Sequence, residues 1–120
     1  MPHIDEIKFG SITIDGRKFG QVLIIAGKII ERDRDFLEKE FGTTHKISHT
    51  EGDKLLEVQP EYIVIGNGLN SAMKVEPEML EHLQKSGAKI LVLQSPTAID
   101  KYNELVKQGR RVNALIHTTC

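Results

Sequence analysis

The feature that most constrains this chain is the order of signals in its second half. Pro60–Gly68 (PEYIVIGNG), Lys89–Leu93 (KILVL) and Val112–Ile116 are short apolar runs, and a helix signature separates each from the next. Runs of this length bounded by turn residues read as strands covered on both faces. Between the first two, Pro77 suits a first helical turn, and Met79, Leu80 and Leu83 form an apolar stripe that Gly87 closes. Between the last two, Ser95 reads as an N-cap and Pro96 as the first helical residue. Ala98, Ile99, Tyr102, Leu105 and Val106 follow as a buried stripe, and Gly109 stops the helix. A β-α-β-α-β order with short connections demands parallel strands and right-handed crossovers.

The first third has a different period. Ile12 and Ile14 alternate with polar neighbours, Asp15-Gly16 offers a tight turn, and Val22–Ile25 and Lys28–Glu31 flank a second turn at Ala26-Gly27. These segments predict an antiparallel meander of three short strands, and the mixed charges Glu31–Asp35 read as a solvated strand end. Phe36, Leu37 and Phe41 predict a short helix closed by Gly42. Ser48 and Glu51 have the form of a capping box, with Leu55, Leu56 and Val58 as the buried side of a second short helix. The expected architecture is one α/β domain over residues 1–120: a mixed sheet, parallel at one end and antiparallel at the other, with helices packed on it.

Composition narrows the function classes. A net charge of −1, with no local run of Lys and Arg, argues against a nucleic-acid footprint. The longest pure apolar stretch, Val22 to Ala26, is far shorter than a membrane span. The N-terminal residues MPHIDEIKFG match neither a signal peptide nor a transit peptide, so a cytoplasmic protein is expected. The single cysteine, Cys120, excludes an internal disulfide and reads as an incidental thiol.

Two turns are the candidate ligand-binding residues. Gly66-Asn67-Gly68 follows a strand directly, the context of a phosphate-binding turn, but position 71 is Ser and the next helix begins only near Pro77. The glycines serve either an irregular loop that needs positive backbone dihedrals or one wall of a pocket. Ser95-Pro96-Thr97 opens a helix, where free N–H groups and the helix dipole favour an anion; the alternative is capping alone. The crossover order puts both turns at the carboxyl ends of neighbouring strands, where open α/β sheets bind their ligands. Asn103 flanks its helix stripe as a structural cross-link, Tyr102 belongs to the core with a satisfied hydroxyl, and Arg110-Arg111 fall at the opposite edge. His45 and His49 lack metal-ligand context, and no nucleophile elbow, Walker loop or carboxylate pair is present. No catalytic residue, metal or cofactor is expected.

Taken together, Phe9-Gly10, Ile12–Gly16, Pro60 with Ile63–Gly68, Thr97, Tyr102-Asn103, Leu105 and Gly109-Arg110 resemble the Mth938-like family, also called DUF498. This chain has Asn67 where the family often carries a small hydroxyl residue, and Gln108 where it often carries an acidic one. The resemblance implies a three-layer fold with a mixed sheet and brings no established catalytic activity. Its eukaryotic relatives include a mitochondrial complex I assembly factor and an adipogenesis-associated protein. The expectation is therefore a non-enzymatic module with an unidentified protein partner. The alternative is a small-molecule or anion-binding protein working at Gly66, Asn67, Gly68, Ser95 and Thr97. Self-association is expected at the antiparallel end of the sheet, where an unprotected edge invites pairing.

Overall fold

The computed structural model describes residues 1–120. In chain order the elements are β1 (Ile4–Lys8), β2 (Ser11–Ile14), β3 (Arg17–Phe19), β4 (Val22–Ile25), β5 (Lys28–Glu31), α1 (Arg34–Phe41) and α2 (His49–Leu55). There follow β6 (Tyr62–Asn67), α3 (Pro77–Gln84), β7 (Lys89–Leu93), α4 (Ser95–Lys107) and β8 (Val112–His117). The second half folds as the β-α-β-α-β order requires, with β6 central and parallel to both β7 and β8.

The antiparallel third departs from a single meander. It contains five strands rather than three, divided between two sheets. β1, β2 and β3 form a separate antiparallel sheet, while β4 and β5 extend the mixed sheet in the order β5-β4-β8-β6-β7. β1 was hidden from periodicity because its register slips between Ile4 and Glu6, which breaks the two-residue alternation. β3 is only Arg17–Phe19, with two charged residues of three.

Alternation along the central strands sorts the core into two halves. Val22, Ile24, Val64, Ala114 and Ile116 face α4 and the small sheet, meeting Ile4, Ile12, Ile14, Tyr102 and Leu105. Leu23, Ile25, Ile63, Ile65 and Leu115 face the opposite way, against Leu55, Met79 and Leu83 of α2 and α3. Three layers result.

Two amides, Asn103 half-buried and Asn113 buried, clamp the layers at places where backbone groups would otherwise lack partners. Asn103 on α4 accepts from Ile4 N at 2.9 Å and donates to Ile4 O at 2.8 Å, completing a strand-like pairing for β1. Asn113 on β8 accepts from Ala26 N and donates to the carbonyls of Leu55 and Glu57.

One expected burial fails for a local reason. Val58 is 64% exposed, because α2 ends at Leu55 and positive φ values at Val58 and Gln59 swing the chain outward. On α1 only Leu37 is buried; Phe36 and Phe41 remain exposed.

Candidate functional site

At the carboxyl edge of β6, β7 and β8 the structure brings the two predicted turns together. Ser95 Oγ accepts from Gly68 N at 2.8 Å and donates to His117 O at 2.6 Å. The residue is fully buried, and the N-cap of α4 is Gln94, with Pro96 in the second helical position. Ser95 is therefore a strut between three strands rather than the expected cap. Gly66 earns its place by proximity: a Cβ there would lie 2.8 Å from Ser95 Oγ, while its own backbone has no positive φ. Gly68 does have the left-handed geometry, at φ +112°.

The space between the turns is filled by the chain itself. Leu69 N donates to Thr119 O, and Asn70 N and Ala72 N both donate to Cys120 O, at 2.8 to 2.9 Å. A Cβ on Gly68 would overlap the Cys120 carbonyl group. The loop's backbone donors, which an anion would use, thus hold residues 119 and 120. Thr97 is exposed and lies outside this cluster. Asn67 Oδ1 and Thr118 Oγ1 are buried there without hydrogen-bond partners.

Beside this edge runs a buried polar network that the pattern of charges concealed. Arg32, in the segment read as solvated, is 5% exposed. Its Nε donates to Glu51 Oε2 at 2.6 Å and one terminal nitrogen to Glu51 Oε1 at 3.0 Å, a bidentate pair. The remaining N–H groups go to Gln21 Oε1, Thr44 O and Lys46 O. Glu51 Oε1 also accepts from Ser48 N, so the predicted capping box is present and doubles as the anchor of this ion pair. All five guanidinium N–H groups are thereby committed.

The network fixes the state of His117. Gln21 Oε1 faces both Arg32 and His117 Nδ1, at 2.7 Å each, and an oxygen can only accept. Nδ1 therefore carries the proton and donates, leaving Nε2 to accept from Thr119 Oγ1 at 3.1 Å. Burial, helped by the Arg32 charge and by His45, pushes the imidazole down to about 4. The His45 ring meets it edge-on at 5.0 Å. Ser95 contacts the His117 carbonyl and not its ring, so no serine–histidine relay exists.

Tyr102 corrects another expectation. It is fully buried, yet its hydroxyl has no partner, and desolvation pushes its ionisation well above the usual range. At the opposite edge of the sheet, Arg110 and Arg111 converge on Glu61. Arg111 N and the two guanidinium charges hold the Glu61 carboxyl below its ordinary range.

A groove of about 270 Å³ opens beside the network, between β5, α1 and α2. Leu23, Ile30, Phe36 and Leu37 supply its apolar wall, and Arg32 and Glu51 its floor. Sequence reasoning missed it because Arg32 carries no local sign of burial. The capping-box Glu51 was the one available signal.

No helix is long and apolar enough to cross a membrane. Residues 4–117 match the family model described as a protein of unknown function, DUF498/DUF598. The chain is similar over its whole length to the solved structure of MT938, with 31% identity, full coverage of both chains and a TM-score of 0.80. A conserved hypothetical protein from Pyrococcus horikoshii is 28% identical over 98% of each chain, with a TM-score of 0.84. A Mth938-like domain from Bordetella pertussis shares the fold, with 17% identity over 98% of this chain and 85% of that one and a TM-score of 0.64.

Proposed function

Because the chain belongs to the Mth938-like family, DUF498, whose function is unknown, we propose its role from the surface it presents: a cytoplasmic, non-enzymatic protein-interaction or assembly module. The observation that carries this reading is the groove between β5, α1 and α2. Phe36 lines it and stands 43% exposed. An exposed aromatic lining a groove is the kind of group that anchors a partner. The Arg32 guanidinium offers no spare donor there, since every one of its N–H groups is already paired within the chain, which leaves Thr50 and Lys54 among the polar side chains on the lining. Such a site suits an apolar side chain of a partner segment better than a polar substrate. Photo-crosslinking from a benzophenone amino acid at position 36, with the same probe at exposed Thr97 as control, tests it in the native host. Reproducible adducts confined to position 36 are expected; equal or absent adducts at both positions would count against the groove.

A second reading has its own observation. The unpartnered Thr118 Oγ1, a hydroxyl able to donate, and Asn67 Oδ1, which only accepts, favour a small polar ligand that carries both an acceptor and a donor at Gly66, Asn67, Gly68 and Ser95, with residues 119 and 120 displaced and Thr97 outside the contact. A thermal-shift screen of phosphates, nucleotides and carboxylates checks it. No shift, or one that survives Asn67→Ala, would sink that site.

A further inference from the structure

We propose that β7 is a homodimer interface, in which two copies pair antiparallel along this strand about a two-fold axis through Leu91. β7 is the terminal strand of the mixed sheet, hydrogen-bonded only to β6. Lys89 N donates to Glu61 O and Ser95 N to Gly68 O, so the odd-numbered residues direct their backbone groups inward. The alternation of a parallel ladder then leaves the N–H and C=O of Ile90 and Val92 facing outward.

That inventory is self-complementary. With Leu91 on the axis, Ile90 of each copy stands opposite Val92 of the other. The two residues exchange both their backbone bonds, and Leu91 meets its own copy in the closer, non-hydrogen-bonded position. Lys89 falls opposite Leu93, which keeps the two lysines apart. Both faces of the strand carry unfinished apolar surface. Leu91 and Leu93 pack only partly on the α4 side, Ile90 only partly on the α3 side, and Val92 is 36% exposed. On α3, half-buried Leu80 lies on the opposite flank from His82, which reaches Asp53 of α2, and so extends the apolar surface towards the same edge.

The other edges lack this match. On β5, Arg32 N donates to Gln21 O, so Ile29 and Glu31 face outward. The register centred on Ile30 would place Lys28 opposite Arg32, a like-charge pair whose arginine is already buried in the network. β1 carries Asp5, Glu6 and Lys8, and β3 carries Arg17 and Lys18, the charges that protect sheet edges. We therefore place self-association at the parallel end of the sheet rather than at the antiparallel end.

Sedimentation analysis of the full chain from about 5 to 500 μM should show a monomer–dimer equilibrium, weak because a strand and a helix flank make a small interface. Val92→Lys, checked for native circular dichroism, should weaken it at least about tenfold. A second readout maps the axis in a Cys120→Ser background. Leu91→Cys should form an intermolecular disulfide on oxidation, since paired Cα atoms in that position lie at about 4.5 Å. Val92→Cys, two positions out of register with its own copy, should not. A monomer at every concentration, a dimer indifferent to Val92→Lys, or crosslinking at 92 rather than 91 would each overturn the proposal.

Discussion

Replacing Ser95 with alanine tests whether this serine is a strut or an uncommitted hydroxyl. Its Oγ is the partner of two buried backbone groups, the Gly68 N–H and the His117 carbonyl. Alanine keeps the helix and the volume but orphans both. Each unsatisfied buried group costs about 1–3 kcal/mol, which gives about 2–4 kcal/mol together once partial relaxation is allowed for. For a chain of 120 residues, that lowers Tm by about 8–16 °C. Urea unfolding followed by circular dichroism gives the free energy. Amide exchange gives the location: protection should fall at Gly68 and at Leu69, Asn70 and Ala72, whose partners in residues 119 and 120 lose their support. Thr97→Val, at an exposed position two residues on, should stay within about 0.5 kcal/mol of the parent. If Ser95→Ala were equally silent and left Gly68 exchange unchanged, the strut argument would fail and the hydroxyl would be free for chemistry.

Two further outcomes follow from the buried network. Glu51→Gln retains the capping-box geometry but leaves the Arg32 guanidinium without its counter-charge, so a loss of about 3–5 kcal/mol is expected in denaturant unfolding. The double change Arg32→Met with Glu51→Leu should recover much of that loss; a Glu51→Gln variant as stable as the parent would refute the role of the charge. For His117, held at about 4 in the folded state against about 6.5 unfolded, the unfolded chain takes the proton first. Its contribution is complete above pH 6.5 and is lost as pH falls towards 4, an effect of about 2–3 kcal/mol after allowance for solvent screening. A ring-proton titration with a midpoint near 6.5, or a pH profile unchanged by His117→Gln, would contradict this.

Much of the fold was legible because it rests on local rules. Pro77 opens α3, Ser48 and Glu51 cap α2, Gly42 closes α1 in a left-handed conformation, and the apolar runs of β6, β7 and β8 need covering on both faces. The family resemblance rests on the same stretches. The division of the antiparallel third was not legible, since a register slip in β1 and a charged three-residue β3 erase the two-residue period.

By itself, the amino-acid sequence determined the class of fold, the parallel order of the central strands and the meeting of Gly68 with Ser95 at their carboxyl ends. Those follow from chain connectivity and from the short reach of crossovers. Only the tertiary structure decided what lies at that meeting place: a serine bonded to two strands and a loop whose donors hold residues 119 and 120. Only the tertiary structure, too, buried Arg32 among Glu51, Gln21, Thr44 and Lys46, partners 11 to 19 residues away in the chain. A charge is buried where partners from several elements converge on it, and no window of sequence contains them all.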